Sequence, residues 1–419
     1  MQRLPILIAA LLVAAPALAE ADAQREQCHG AAAAPDAAIA ACTALIAEDR
    51  DSPVDLAKDL ANRAFAYRAK GLTDQAIADT TRAIRIKPDY AFAYNLRGIA
   101  QADKGLNERA IADFSQAIYL KPDYADALFN RGNRHLGEAA LDRSALDRAI
   151  ADYSAAIALD PRHGDAHVNR GNAWRDKRDE TRALADYARA IALNPGDARA
   201  WYNRGKLRNG KRQWDGALLD LDRAIALKAD SAGYFYERGY AQGELGRSDP
   251  AIVDFTRAVL LDPGYTAAYY SRGLHYRKLG KFDRAAADLT RVIALLPDNA
   301  AAYQIRGLVY HQEGRLDLAL ADLARAISLK PDLVAAYVLR GAILSQQKQC
   351  ERAIGDFSAA IELQWDNAEA WANRARCQNQ LGMKDLAYAD YARAVQLNPN
   401  DRWSRSQLAR LEAEQEPGW

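Results

Sequence analysis

The chain has 419 residues, of which half are hydrophobic, and 56 Lys and Arg stand against 55 Asp and Glu. A formal charge of +1 argues against a broad nucleic-acid or acidic-lipid surface, although it leaves room for a local charged groove. Size alone suggests two or three domains.

Residues 1–19 read as a secretory signal peptide. Met1-Gln2-Arg3 is a short basic start, Leu4 to Ala15 is almost wholly apolar, and Ala17-Leu18-Ala19 is a small-residue cleavage pattern before Glu20. The apolar run is short for a membrane span, which disfavours an uncleaved anchor. Cleavage removes one charge, Arg3, and leaves a formally neutral, exported chain, periplasmic or secreted, with no further stretch long enough to cross a bilayer.

Residues 20–56 are expected to form an N-terminal capping segment, with "DAAIAACTALIA" at 36–47 as its helix. The cysteines are Cys28, Cys42, Cys350 and Cys377. An even number in an exported chain suits two disulfides, Cys28 to Cys42 and Cys350 to Cys377, one stapling each end. Free buried thiols or a redox pair are the alternative, although no Cys-x-x-Cys occurs.

From residue 57 the chain repeats itself. Arginine recurs at Arg63, Arg97, Arg131, Arg170, Arg204, Arg238, Arg272, Arg306, Arg340 and Arg374, at intervals of 34 residues with a single interval of 39. Pro88, Pro122, Pro161, Pro195, Pro263, Pro297, Pro331 and Pro399 keep the same period. Ten repeats follow: 57–90, 91–124, 125–163, 164–197, 198–231, 232–265, 266–299, 300–333, 334–367 and 368–401. With proline in slot 32, positions 4, 8 and 11 share one helical face, and positions 20, 21, 24, 27 and 28 form a second stripe. Position 20 is alanine in all ten repeats, and position 8 is glycine in eight. A mid-helix glycine costs about 1 kcal/mol against alanine, so its recurrence implies a close approach of two helix backbones. Gly105, Gly246, Gly280, Gly314 and Gly382 mark the turn between the two helices, and the proline ends the second. The five extra residues of repeat 3, near 137–148, are expected to lengthen its inter-helix turn. Residues 402–419 read as a final capping helix, with Leu408 and Leu411 on its apolar side.

Gly98, Ala110, Phe114, Ala117 and Pro122, echoed in later repeats, resemble the tetratricopeptide repeat (TPR) pattern, and the resemblance covers residues 57–401. It implies an all-α fold, a right-handed α-solenoid or superhelix of ten helix-turn-helix repeats with capping helices. One departure stands out: position 7, usually leucine in this family, is arginine in every repeat, and position 23 is aspartate in every repeat. In an antiparallel pair that turns near positions 14 and 15, positions 7 and 23 fall at the same height. Arg170 with Asp186 and Arg204 with Asp220 therefore typify a ladder of structural ion pairs, formed within a repeat or across the next boundary. Ten arginines gripping an acidic ligand is the weaker reading, because a ligand-facing charge should vary between repeats.

No motif carries chemistry. The six histidines are scattered, and His163 and His167 straddle a turn and a helix start. No Gly-rich phosphate loop, HExxH or nucleophile setting occurs, so no enzyme activity, cofactor or metal is expected. The resemblance instead implies a concave groove lined by the first helices, at positions 2, 5, 6, 9, 12 and 13. Asn130, Asn169 and Asn203 occupy position 6, with Asn133 and Asn172 at position 9, and some family members hold a ligand's backbone with asparagines there. Tyr202, Tyr236 and Tyr270 follow at position 5, with Tyr240 at position 9. Solvated polar faces are the plain alternative for all of these. Ile305 and Leu339 at position 6 suit a more apolar partner. The expected role is a non-catalytic scaffold that binds an extended peptide or partner domain, with no nucleic acid. An accessory or substrate-presenting subunit of a cell-envelope enzyme or assembly machine is the second reading.

Overall fold

The computed structural model describes residues 23–30, 34–48, 52–140 and 142–415. The signal peptide expected at 1–19 lies outside the described residues. Every regular element among the described residues is helical. Helix α1 (23–29) and α2 (Pro35–Glu48) precede ten consecutive helix pairs. These are α3 (Pro53–Ala69) with α4 (Thr73–Ile86), α5 (Ala91–Asp103) with α6 (Asn107–Leu120), α7 (Ala125–Glu138) with α8 (Ser144–Leu159), and α9 (Gly164–Asp176) with α10 (Glu180–Leu193). Next come α11 (Ala198–Gly210) with α12 (Trp214–Leu227), α13 (Ala232–Glu244) with α14 (Ser248–Leu261), and α15 (Thr266–Lys278) with α16 (Phe282–Leu295). The last are α17 (Ala300–Gln312) with α18 (Leu316–Leu329), α19 (Val334–Gln346) with α20 (Cys350–Leu363), and α21 (Ala368–Gln380) with α22 (Lys384–Leu397), followed by α23 (Arg402–Gln415). The fold is an all-α solenoid.

Contacts divide the chain into two compact units, Met1–Leu207 and Arg208–Trp419, with the division inside α11. Each unit is built the same way. The helices of a pair pack on each other, and each second helix packs on the next first helix. In the first unit α3 also touches α5, α5 touches α7 and α7 touches α9; in the second, α13, α15, α17, α19 and α21 form such a chain. Successive second helices make no comparable contact among the described residues. Within each unit the first helices therefore line the inner side of the curve.

Local chemistry explains the hairpins. At Gly105, φ is +75° and the helix ends as a Schellman turn: Leu106 N–H donates to Gln101 O and Gly105 N–H to Ala102 O, both at 2.9 Å. Arg178, Arg212 and Lys348 hold the same left-handed slot without glycine, at φ values of 64°, 57° and 65°. Each second helix ends two residues before its proline slot, and the residue between, Lys121 for example with φ −138° and ψ 89°, has already left the helical region ahead of Pro122.

The position-20 alanines are fully buried in all ten repeats. The position-8 glycines face a specific neighbour. A Cβ on Gly98 would lie 2.7 Å from the Phe114 ring, and one on Gly171 would lie 2.7 Å from the Tyr187 ring. The expected backbone approach appears where position 24 is leucine: a Cβ on Gly307 would lie 3.3 Å from Ala319 O and 3.0 Å from Leu323 Cγ. In the aromatic repeats, the glycine is instead a notch for the ring opposite.

In repeat 3 five residues instead of three separate the two helices, and both helices also lengthen, α7 by one residue and α8 by two. At the N-terminal end, Cys28 and Cys42 form a disulfide with Cα atoms 4.9 Å apart. At the other end, Leu411 of α23 is buried with Tyr391 and Ala387. Cys350 and Cys377 share one buried cluster, as their positions suggest, but the expected bridge is absent and both are free thiols. Cys350 Sγ donates to Gln380 Oε1 at 2.9 Å, which turns it toward the amide. Burial pushes the Cys377 thiol up to about 11, so it stays protonated and a poor nucleophile.

Candidate functional site

The charged ladder is the most regular feature of both units. In each of nine repeats the position-7 arginine makes a fork with the position-23 aspartate of the same repeat, Nε to Oδ2 and Nη2 to Oδ1, at 2.6–3.0 Å. Arg170 and Asp186 are one such pair, at 2.9 and 2.8 Å. In the fifth repeat, Arg204 belongs to the first unit and Asp220 to the second; within the second unit Asp220 accepts from Arg208 Nη1 at 2.8 Å. Burial alone would raise the Asp186 carboxyl, but hydrogen bonds from His167 and Arg170 outweigh it and hold the group below its usual range.

The guanidinium does more than close its own hairpin. Its Nη1 reaches back to position 25 of the preceding repeat: Arg131 to Ser115 at 3.1 Å, Arg170 to Ser154 at 3.0 Å, Arg238 to Asp222 at 2.8 Å and Arg306 to Thr290 at 2.9 Å. Its face lies over the position-4 aromatic, as with Arg306 over Tyr303 at 5.7 Å and Arg374 over Trp371 at 4.8 Å. One side chain thus joins three helices and two repeats. The ladder is a fastening, and its arginines are occupied. In repeat 4, where position 4 is His167, Nδ1 lies 3.1 Å from Asp186 Oδ1. His163 accepts from Ala166 N at the start of α9 and packs on Phe129, and no metal-binding group exists among the described residues.

The predicted groove residues sort into two sets. In the first unit, Asn133 Oδ1 accepts from the buried Tyr153 hydroxyl and from Asn169 Nδ2, both at 2.8 Å. Asn172 Oδ1 accepts from Tyr187 at 2.8 Å, and Asn130 Nδ2 donates to Asn95 Oδ1 at 3.1 Å. Burial raises the Tyr187 hydroxyl to about 12 and raises that of Tyr153 further, so both remain donors at neutral pH. These asparagines therefore satisfy buried core hydroxyls or link neighbouring first helices. Asn95, which sequence reasoning left out, belongs to the network and also donates to Tyr124. Asn203 is half-buried, and Lys206 lies over the Tyr202 ring.

In the second unit, Tyr236 packs on Phe255 and Tyr265, Tyr270 is half-buried, and Tyr240 is exposed. Burial raises all three hydroxyls. A cavity of about 520 Å³ opens between α13, α15 and α17, lined by Tyr240, Glu244, Ser271, His275, Arg277 and Gln312 among others. Most of these lie at positions 6, 9, 12 and 13, on the inner side. Desolvation lowers the His275 imidazole, whose Nδ1 lies 3.1 Å from Ser248 Oγ, so it is neutral near pH 7. Ile305 and Leu339 pack partly into the core beneath.

Profiles described as tetratricopeptide repeat match residues 93–124, 134–198, 175–234, 232–265, 270–333 and 368–401. Together with the ten in-register helix pairs, they establish that the chain belongs to the tetratricopeptide repeat family. Among solved structures it is similar to YrrB, described as a TPR protein with an unusual peptide-binding site, at 26% identity over 44% of this chain and 95% of that one, with a TM-score of 0.41. It is also similar to a tetratricopeptide repeat protein from Parabacteroides merdae, at 18% identity over 59% and 98% of the two chains, TM-score 0.44. Yeast Tom70 matches at 16% identity over 96% of each chain, TM-score 0.40. No curated protein matches the chain. The family is one of interaction scaffolds, and a protein-protein interaction scaffold is the class that this fold defines. No helix among the described residues is long and apolar enough to cross a membrane.

Proposed function

We propose that the chain is an exported, non-catalytic scaffold that holds an extended peptide segment of a partner protein against the inner side of its first helices. The observation that carries this reading is the cavity between α13, α15 and α17, where aromatic, amide and charged side chains converge at the groove positions. Tyr240 there offers area at low entropy cost, and the Gln312 amide offers both a donor and an acceptor. Export is supported by the leader-like start of the sequence and by the Cys28–Cys42 disulfide, which needs an oxidising compartment.

The test is selection of a displayed peptide library on the full chain, followed by affinity measurement on Tyr240→Ala and Ser271→Ala. Enriched segments should bind these variants at least about fivefold more weakly, while a change on the outer side, Leu219→Ala, should leave binding unchanged. Failure of any segment to enrich would end the groove reading. Fractionation and N-terminal sequencing test export: a mature chain that starts at Glu20 outside the cytoplasm is expected.

A further inference from the structure

Position 22, midway along the outer face of each second helix, is alanine or glycine in eight repeats. The two exceptions are adjacent: Leu219 on α12 and Val253 on α14, which are 73% and 67% exposed. Leu260, seven residues beyond Val253 and therefore on the same face of α14, is 68% exposed. Aliphatic side chains this exposed, grouped in register and not scattered singly, mark a surface for contact.

The charges on either side of them form two rows. Asp215, Asp249 and Asp283 hold position 18 of α12, α14 and α16, and Arg223, Arg257 and Arg291 hold position 26 of the same helices. All six are exposed. The three arginines make no ion pair among the described residues; Arg257 lies over the Phe235 ring at 5.9 Å, and Arg291 Nη2 donates to Pro263 O at 3.4 Å. Asp215 and Asp283 make none there either, and Asp249 reaches only the exposed Lys281, at 3.6 Å. Each row stands four residues, about 6 Å, to one side of position 22.

We propose that this face pairs two copies of the chain about a twofold axis through Val253. Half a turn about that axis exchanges the two rows, so the face is complementary to itself, which is the requirement of a closed dimer. α14 lies antiparallel to its counterpart, and α12 lies over the second copy's α16. Arg257 then meets the partner's Asp249, Arg223 meets the partner's Asp283, and Arg291 meets the partner's Asp215. Val253 meets its counterpart on the axis, Leu219 faces a small Ala287, and Leu260 lies over the turn at Gly246, where no side chain obstructs it. Complementarity is what selects a second copy as the occupant: an anionic lipid surface would face the aspartate row with like charge. The outer sides curve away from each other, so the contact is confined to these repeats. A contact this small, with a large share of charge, is weak and salt-sensitive, with a dissociation constant on the order of 10 μM. The groove lies on the other side of the hairpins, so the pairing is independent of the groove reading and leaves peptide capture unchanged.

The experiment is sedimentation velocity on the full chain over a concentration series, in about 0.05 M and about 0.5 M salt. The native chain should show a reversible monomer–dimer equilibrium that shifts toward monomer at the higher salt. Val253→Asp, Arg257→Asp and Asp249→Arg should each weaken pairing at least about tenfold, because each sets like charges against one another across the axis. All three positions are exposed, so helicity and melting temperature should stay those of the native chain. The crossed register is read from rescue. Mixing Arg257→Asp with Asp249→Arg should restore a heterodimer, because every altered charge then meets its opposite, and the double variant that carries both changes in one chain should pair with itself again. A native chain that is monomeric at every concentration, a dimer that survives Val253→Asp and Arg257→Asp, or a mixture that stays monomeric would overturn the proposal. Peptide capture measured on the same samples keeps the two readings apart: its loss with pairing intact removes the groove and leaves the dimer standing.

Discussion

Breaking one rung of the ladder should cost far more than an ordinary surface ion pair. Arg306 and Asp322 show why. Their side chains are 15% and 10% exposed, and two hydrogen bonds of 2.7 and 2.8 Å join them. Arg306 also donates to Thr290 and lies between the Tyr303 and Tyr310 rings. Hydrogen bonding to Asp322, more than any other cause, raises the guanidinium pKa, so Arg306 stays charged throughout the working range of pH. Arg306→Met strands a carboxylate that water barely reaches, and Asp322→Leu strands a guanidinium. Losing one partner of a buried pair costs about 3–5 kcal/mol, and the residual exposure places these two near 3. The double variant replaces both charges with apolar groups of similar volume and should lie within about 1 kcal/mol of the native chain. Two single losses of about 3 kcal/mol, less a double loss of up to about 1 kcal/mol, put the coupling energy at about 5 kcal/mol. Repeat arrays can unfold in parts, so denaturant melts should be paired with amide exchange read in α17 and α18, where each single variant should exchange about a hundredfold faster. Single variants within about 0.5 kcal/mol of native, or a double variant as weak as the sum of both, would refute the fastening role.

The glycine notches predict opposite outcomes for one substitution. Gly171→Ala puts a Cβ 2.7 Å from the Tyr187 ring and should destabilise by about 1–3 kcal/mol, whereas Gly273→Ala meets Leu289 at 3.4 Å and should gain up to about 1 kcal/mol in thermal melts. Lys348→Gly relieves a residue held at φ 65°; the left-handed cost of about 1–2 kcal/mol exceeds the entropy glycine adds to the unfolded chain, so a small rise in melting temperature is expected. Thiol counting under denaturing, non-reducing conditions should find two reactive thiols, Cys350 and Cys377, and four would mean the Cys28–Cys42 bridge is absent. Cys377 is raised from 9.0 to about 11 in the fold, so the unfolded chain loses this proton first; its contribution is intact below pH 9 and should fade as pH rises through about 11, which melts of Cys377→Ala against the native chain between those pH values would check.

Periodicity made the hairpins legible, because a helix pair that cannot bury itself alone must repeat its apolar stripes in register. The Arg and Asp rungs were legible for the same reason: two charges that recur unchanged beside those stripes have to meet. The backward bonds were harder to see. Thr81, Ser115, Ser154, Asp222, Thr256, Thr290 and Ser358 all occupy position 25, 16 residues before an arginine, but small polar residues on a second helix look like solvent-facing filler. Asn133 and Asn172 misled for a related reason. Seen one repeat at a time they are groove amides; only the Tyr153 and Tyr187 hydroxyls at position 24 explain why asparagine accompanies tyrosine in those two repeats, while Leu274 and Leu308 accompany Leu289 and Leu323. The second cysteine pair shows a limit of another kind. Spacing brings two sulfurs together, but the Gln380 amide that engages Cys350 is one helical turn from Cys377 and invisible to cysteine counting.

A chain that fastens its repeats with invariant charges also marks where it does something else. Each rung is neutral, largely buried and repeated, so an arginine in register with its aspartate already has its charge matched. Binding capacity must then come from positions where the repeat breaks its own rule. On the first helices, positions 5, 6, 9, 12 and 13 vary from repeat to repeat while positions 7 and 8 hardly do. The separation follows from geometry: positions 7 and 8 face the second helix of the same hairpin, and the variable positions face the inner side. A substitution at Gln312 can therefore change what the protein holds without touching the ladder that holds the protein.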